Sequence, residues 1–416
     1  MSKKNPKFTL IILTSLIGFF LFGYLFFRFR SSLFITKLTD KRWIFVTVNQ
    51  LAKITDIPFS FYQLYSNKLP TYQIFIKGKD LEVLKNSLSQ VGKKNIIVDF
   101  KQVPAVFIAD NGKAYKAKTR YRGNTSVHWG YPKKSWRINL SANNQFNGLK
   151  TIDFIIPEDR ELVLEHLANF RAKKLNLLSP DSWFANLQIN QKSQGIYYAT
   201  EKIDEDFILK RGLTGTLFAE KDDVDNWNFP IYSSIKRWRT YPEDIHHPDY
   251  KYLKQLLDLI NNPDATTQEL LALVDLDNFL NWQVHGLLMA SFAQEKTGNN
   301  RLFYNHQINK FQLIPWDTGS RHERYEDLDR LYNPLADKLL ADPDIRAKRN
   351  KKLKEYIVDP DNLNEDLEFF EDALKQIYIP LMQDNMKFYA NIKYLLDIKT
   401  YRSWMIEHFD NLLQQL

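Results

Sequence analysis

The 416-residue chain contains no cysteine. That excludes a disulfide framework, a thiolate zinc site, an iron–sulfur cluster and a cysteine nucleophile. Glycine is scarce, with 14 in the whole chain, and no two stand one residue apart, so G-x-G-x-x-G cannot occur. The phosphate loop G-x-x-x-x-G-K-[ST], the nucleophile elbow G-x-S-x-G and the zincin motif H-E-x-x-H are also missing. The eight histidines show no ligand spacing, and the neighbouring pair His246–His247 would diverge on a strand. Distributed positive charge is lacking too. The net +8 is concentrated at one end, because residues 1–42 carry eight basic side chains against Asp40 alone. A nearly neutral remainder offers no broad basic footprint, so nucleic acid is not an expected partner.

What is present begins with a membrane segment. Phe8 to Phe27 is 20 residues without a charge, the length a helix needs to cross about 30 Å of hydrocarbon. It ends in bulky residues and Arg28 rather than in a small-residue cleavage site, so it reads as an uncleaved anchor of a single-pass membrane protein. Lys3, Lys4 and Lys7 before the run and Arg28, Arg30, Lys37, Lys41 and Arg42 after it leave its orientation undecided.

The rest of the chain changes period along its length. Residues 42–49, 71–76, 95–100 and 103–109 are β-branched and aromatic runs of strand length, with Leu81, Leu84 and Leu88 at helical spacing between them. Strand patterning continues through residues 113–140. A helix is expected from Arg160 to about Asn176, then a hairpin of 184–189 with 195–199 about a turn at 190–193, a short helix at 203–211 and a strand at 217–220. Beyond Tyr241 helical spacing dominates, over 252–260, 267–274, 279–292 and 363–416, interrupted by a strand pair at 301–304 and 311–315.

Three clusters could carry chemistry. In the first, Arg122-Gly123-Asn124 is followed by Pro132-Lys133-Lys134-Ser135-Trp136-Arg137, where alternation would set Lys134 among apolar neighbours as a phosphate clamp. A plain hairpin with solvated lysines reads the same way. The second runs from Gly195 through Glu201 to Asp204, Glu205 and Asp206. The last three suit a helix start, whereas Glu201 could hold a lysine. The third joins Gln294-Glu295, Asn299-Asn300 and Pro315-Trp316-Asp317, whose amide and carboxylate oxygens suit a hard cation with bound phosphates. A surface loop and a strand-end aspartate would look alike.

Together the clusters resemble the spore-coat protein H (CotH) kinase family of atypical protein kinases. The likeness runs over about residues 65–330, through R-G-N-[ST]-S and P-K-K-x-[WY]-R at 122–137, G-x-Y-x-x-x-E-x-I-D at 195–204, N-x-x-x-Y at 300–304 and P-W-D at 315–317. The resemblance implies an α+β, atypical protein kinase-like fold with a β-rich N-terminal portion and a helix-rich C-terminal lobe, preceded by one transmembrane helix. On that reading residues 1–30 are tail and anchor, 31–110 a small α/β module, 111–240 a β-rich nucleotide-binding lobe and 241–416 a helical lobe with a metal-binding loop. It further implies ATP with Mg²⁺ or Mn²⁺ as cofactors and a protein substrate, beside the bilayer that the uncharged run 8–27 itself calls for. The nucleotide-binding set it implies is Lys134 or Lys133, Glu201 paired with that lysine, and Arg122. Asn300 or Asn299, with Asp317, would hold metal.

Two departures bear on turnover. The family's aspartate about five residues before the metal-binding asparagine is here Glu295, the candidate catalytic base, or Gln294, which cannot accept a proton. Gly319 stands where the family commonly has another acidic residue. A kinase is therefore weighed against a degenerate, membrane-tethered binding or scaffold protein. A glycan-processing reading rests only on abundant aromatics and scattered carboxylates.

Overall fold

The computed structural model describes residues 49–89, 100–141, 144–221, 230–242, 249–291, 293–295, 298–319, 328–329 and 332–416, with positions 18 and 47 in isolation. The apolar run 8–27 and nearly all of the strand expected at 95–100 lie outside the described residues. Among those described, no helix is long and apolar enough to cross a membrane.

Seven strands close a barrel in the order β1-β2-β3-β4-β5-β7-β6. They are β1 (Thr71–Phe75), β2 (Val103–Ile108), β3 (Ala114–Tyr121), β4 (Trp136–Leu140), β5 (Thr151–Ile155), β6 (Ser182–Ile189) and β7 (Lys192–Glu201). The β1–β6 pair is parallel and closes the ring; the other neighbours are antiparallel. Alternate residues fill the interior with Ile74, Phe107, Trp136, Ile138, Ile152, Phe154 and Tyr197. Because β2 pairs with β3 across residue 110, the segments 71–110 and 111–201 share one barrel. The β6–β7 turn is two residues, Asn190 and Gln191, both with positive φ as a type I′ hairpin requires.

A second sheet, in the order β11-β10-β8-β9, consists of β8 (Gly215–Glu220), β9 (Trp238–Tyr241), β10 (Arg301–Asn305) and β11 (Lys310–Leu313). Helix α1 (Gly78–Ser89) packs Leu84 into the barrel core. Helix α2 (Leu164–Lys174) follows β5, and α3 (Glu205–Lys210) begins at Asp204, whose carboxylate accepts from the Asp206 and Phe207 amides. The helix-rich remainder comprises α4 (Lys251–Asn261), α5 (Thr267–Leu273), α6 (Leu276–Leu288), α7 (Pro334–Leu340), α8 (Pro343–Val358), α9 (Pro360–Gln383) and α10 (Asn391–Gln415). The β-rich first part and helical second part thus stand in the expected order, with the expected strand pair set among helices.

One local expectation fails. Residues 42–49 read as a strand, but positions 47 and 49–52 are helical and lead into a 3₁₀ helix at Lys53–Leu64. Short apolar runs do not distinguish strand from helix, and here one side of the segment docks on α9 and α10: Asp56 accepts from the Asn391 amide at 2.6 Å, and the Tyr62 and Tyr378 hydroxyls lie 3.2 Å apart.

Candidate functional site

Two rows of arginines face one cleft between the barrel and the second sheet. Cross-strand neighbours share a face, and the register places Arg120, Arg137, Asp153 and Thr200 in one row across β3, β4, β5 and β7. In the second sheet Arg239, Ala219 and Arg301 form a row across β9, β8 and β10, the small alanine leaving room between the two guanidinium groups. The cleft has a volume of about 300 Å³ and is lined by seven cationic side chains, six of them arginines, against four carboxylates. Like charges opposite one another on adjacent strands are unfavourable, and Asp153 answers the Arg120–Arg137 pair. Its Oδ1 accepts from Arg137 Nε and its Oδ2 from Arg137 Nη2, both at 2.6 Å, and Oδ2 also accepts from Arg122 Nε at 3.4 Å. Burial alone would raise the Asp153 carboxyl, but the Arg137 pair with the charges of Arg122 and Arg120 outweighs it and holds the group below the usual carboxylate range. Burial pulls Arg122 down to about 10 and His128 down to about 3, so the imidazole beside Arg122 is neutral at physiological pH.

The floor is built from the loops after β5 and β11 and before β10. Arg160 is buried and forms an ion pair with Asp317, with Asp159 at 3.3 Å on its other side. The Asn299 side-chain amide donates to Asp317 Oδ2 at 3.2 Å, and the Asn299 main-chain amide donates to Glu220 Oε2 at 2.6 Å. Glu220 in turn accepts from Arg237 at 3.0 Å. Asn299 and Asp317 both have φ near +60°, a region uncommon outside glycine and most accessible to Asn and Asp. Strained backbone at two facing polar residues is characteristic of ligand sites. Trp316 supplies the apolar wall, with the guanidinium groups of Arg122, Arg160 and Arg301 within 5.9 Å of its ring centroid.

Of the candidate site residues named from sequence, the structure brings Arg122, Asn299 and Asp317 to this cleft, with Gly123, Asn124, Arg137 and Trp316 of the same motifs beside them. The others lie elsewhere. Lys133 is fully buried away from the cleft, 2.5 Å from Asp384 Oδ2 and over the Tyr197 ring. Gly195 has φ +79°, and a Cβ there would lie 2.1 Å from the Asp384 carboxylate. The lysine, glycine and tyrosine of two motifs thus form the seat of one aspartate. Lys134 reaches the Tyr131 carbonyl, with Tyr197 donating to the Lys134 carbonyl at 2.8 Å. Glu201 does not pair with either lysine; Arg211 holds it at 2.9 Å and the Asp181 amide donates to it at 3.1 Å. The expected lysine–glutamate pair is therefore replaced by two separate structural contacts, because alternation along β7 turns Glu201 away from the cleft that the next residue, Lys202, lines.

Between the two candidate asparagines, Asn300 is buried and its side chain is fully engaged. Its Oδ1 accepts from Tyr232 and Asn333, and its Nδ2 donates to the Glu295 and Gly298 carbonyls. Asn299 is the one that faces Asp317. Gln294 is buried, accepting from Trp282 at 2.7 Å and donating to the Asn299 and Ile314 carbonyls. Glu295 is exposed and does not line the cleft. Gly319 has a packing reason: a Cβ there would approach the Glu165 backbone to 2.3 Å, and its amide donates to Glu165 Oε2 at 2.6 Å.

Among the described residues no three His, Asp or Glu side chains are arranged to hold a metal. A magnesium-like ion, which takes one or two protein oxygens and completes its shell with phosphates and water, would be held by Asp317 and Asn299 once Arg160 turned from Asp317 and the Asn299 amide, whose nitrogen faces Asp317 here, turned its oxygen inward. Sequence reasoning quoted Arg137 only as the end of a motif, without a role, and missed Arg120, Asp153, Arg160, Glu220, Arg239 and Arg301. The visible signal was the charge-rich Pro157-Glu158-Asp159-Arg160 at the entry to a helix, directly after an apolar strand.

Residues 119–378 match the family described as CotH kinase protein. The chain is 27% identical over 311 residues to the inner spore coat protein H of Bacillus subtilis (strain 168), covering 70% of this chain and 82% of that protein. Among solved structures, the Helicobacter pylori proinflammatory kinase CtkA aligns with TM-score 0.28 and 14% identity over 67% of this chain and 93% of that one. The HipA–HipB toxin–antitoxin system of Shewanella oneidensis MR-1 aligns with TM-score 0.33 and 11% identity over 82% and 74%.

Proposed function

The chain belongs to the CotH kinase family, and from that premise we propose that it is a membrane-anchored, atypical protein kinase-like phosphotransferase that takes ATP into the arginine-lined cleft. The observation that carries this reading is the excess of seven cations over four carboxylates around one opening, with Asn299 and Asp317 at its floor. Transfer of a γ-phosphoryl group to a protein hydroxyl needs positioning and charge stabilisation more than covalent chemistry. Arg122, Arg239 and Arg301 would meet phosphate oxygens, since guanidinium donors match them in bidentate geometry. Trp316 offers a flat apolar surface. Asp317 and Asn299 would hold Mg²⁺ against the phosphates, and that ion would supply charge neutralisation at the transferring group. Arg160, paired with Asp317, would then turn toward the phosphates.

A second reading, a nucleotide-binding pseudokinase tethered to the membrane, is favoured by one observation. The two residues at the position of the usual catalytic base are a buried, fully bonded glutamine and a glutamate outside the cleft lining. The test uses the full-length chain in lipid nanodiscs, measuring ATP binding and phosphate incorporation with Mg²⁺ or Mn²⁺. Asp317→Ala abolishing incorporation supports the kinase. Binding sensitive to Asp317→Ala with no incorporation in the parent protein supports the pseudokinase, and absence of nucleotide binding refutes both.

A further inference from the structure

The strongest feature outside the cleft is the outward side of the 3₁₀ helix Lys53–Leu64. Such a helix has three residues per turn, so side chains three apart eclipse one another. One row, Lys53, Asp56, Phe59 and Tyr62, faces the protein: Lys53 donates to the Asn385 carbonyl at 3.0 Å, Asp56 accepts from the Asn391 amide, and Phe59 and Tyr62 pack into the α9–α10 core. The other two rows face out and carry Ile54, Ile57, Ser60 and Gln63, then Thr55, Pro58, Phe61 and Leu64. Ile57 is 68% exposed and Leu64 88%, with Leu51, Ile54, Phe61 and Tyr65 each about half exposed. Six of the fourteen large apolar side chains most exposed among the described residues thus fall within Leu51–Tyr65. No exposed residue from Gln50 to Tyr65 is charged. At a rise of about 2 Å per residue the twelve-residue helix presents an apolar edge roughly 24 Å long.

The helix is not a loose appendage. Gln63 donates to the Gln383 carbonyl at 3.1 Å, and the Gln383 side chain donates back to the Tyr62 and Tyr65 carbonyls at 2.8 and 2.7 Å. Its apolar edge is therefore held outward by the Lys53, Asp56 and Tyr62 contacts on its other side and by Gln63 at its C-terminal end. Contiguous exposed apolar surface marks a partner or a membrane, and the position along the chain says which. Only residues 28–50 separate the uncharged run 8–27 from Leu51 on this edge. That segment carries Arg28, Arg30, Lys37, Lys41 and Arg42 against Asp40. Basic residues close to a membrane span are attracted to anionic lipid headgroups.

We propose that the outward edge of Leu51–Tyr65 lies in the headgroup region of an anionic bilayer, as a second membrane contact that fixes the tilt of the barrel over the surface. The inference rests on the reading of residues 8–27 as an anchor. The occupant is the bilayer itself, with its apolar boundary for the isoleucines, Phe61 and Leu64.

Because the chain has no cysteine, single thiols can be placed at will. The experiment reconstitutes full-length Ser15→Cys, Ile57→Cys and Leu209→Cys, each labelled with an environment-sensitive fluorophore, into phosphatidylcholine–phosphatidylglycerol vesicles carrying acyl-chain nitroxide lipids. Leu209 is also well exposed but lies on α3. An interfacial apolar face sits about 5–10 Å into the headgroup boundary. Quenching of the Ile57→Cys label is therefore expected to exceed that of the Leu209→Cys label about threefold, with the Ser15→Cys label strongly quenched. Quenching in Ser15→Cys, with Ile57→Cys no different from Leu209→Cys, overturns the inference while leaving the anchor. In that case a disulfide between two unlabelled Ile57→Cys copies assigns the edge to a second copy of the chain. Quenching in neither Ser15→Cys nor Ile57→Cys overturns the anchor and the inference together.

Discussion

Two charged regions of the barrel contain motif residues of opposite fate. At the cleft, arginines outnumber carboxylates around an open cavity of about 300 Å³. Below β7, Lys133 meets Asp384 at 2.5 Å with no exposed surface, Asp384 accepts from the Ile196, Met386 and Lys387 amides, and Lys387 donates to the Asp384 carbonyl. The first arrangement carries positive charge in excess around an opening; the second is internally satisfied. The difference teaches that a basic residue in a recognisable motif gains a binding role from access to a cavity, and otherwise serves as a bolt between distant segments.

The largest effect that could break this comparison is in the closed region. Removing one member of a buried ion pair leaves an uncompensated charge, so Lys133→Ala is expected to destabilise the protein by about 3–5 kcal/mol in chemical denaturation. The double variant Lys133→Met, Asp384→Leu should recover much of that loss, because both charges leave together. If Lys133→Ala instead kept full stability and lost ATP binding, the two regions would exchange roles.

Acid distinguishes the regions next. Burial lowers His128 to about 3 and His285 and His408 to about 4, while the latter two also bond the Ala168 and Leu287 carbonyls. These rings are neutral when folded and charge near pH 6.5 when unfolded, so the unfolded chain takes up protons first and stability falls as pH drops from about 6.5 toward 4. Each ring is expected to contribute about 1–2 kcal/mol of loss by pH 5. A Tm that is flat between pH 7 and 5 would show that the rings are solvated.

The smallest effect is at Glu295. Its side chain is exposed and outside the cleft, so Glu295→Gln should leave ATP affinity within about 0.5 kcal/mol of the parent value in calorimetry. A tenfold loss would bring the Glu295 side chain itself to the binding surface.

How much of this was legible in the sequence depends on the range of the interaction. Local patterns spoke clearly: the alternation in β3 and β4, the helical spacing of α2, the Asp204 cap of α3 and the β10–β11 pair are properties of a few adjacent residues. The closure of the barrel by β1 against β6 joins Thr71 to Asn186, and no local pattern carries it. The same limit governed the site. Lys133 is 251 positions from Asp384, so its partner was invisible and its lysine looked available. Asn299 and Asp317 were readable because both belong to one short helix–hairpin unit, yet the choice between Asn299 and Asn300 needed the burial of the latter against Tyr232 and Asn333. The arginine rows depend on strand register, which one-residue slips would invert.

The most direct test of the central claim is ATP affinity of the full-length chain in nanodiscs with Mg²⁺, comparing Arg301→Ala in the cleft with Lys134→Ala outside it, each checked by its melting curve. A roughly tenfold weaker affinity, near 1.4 kcal/mol, is expected for Arg301→Ala and no change for Lys134→Ala. Loss of binding in Lys134→Ala with Arg301→Ala unaffected would contradict the assignment of the nucleotide to the arginine-lined cleft.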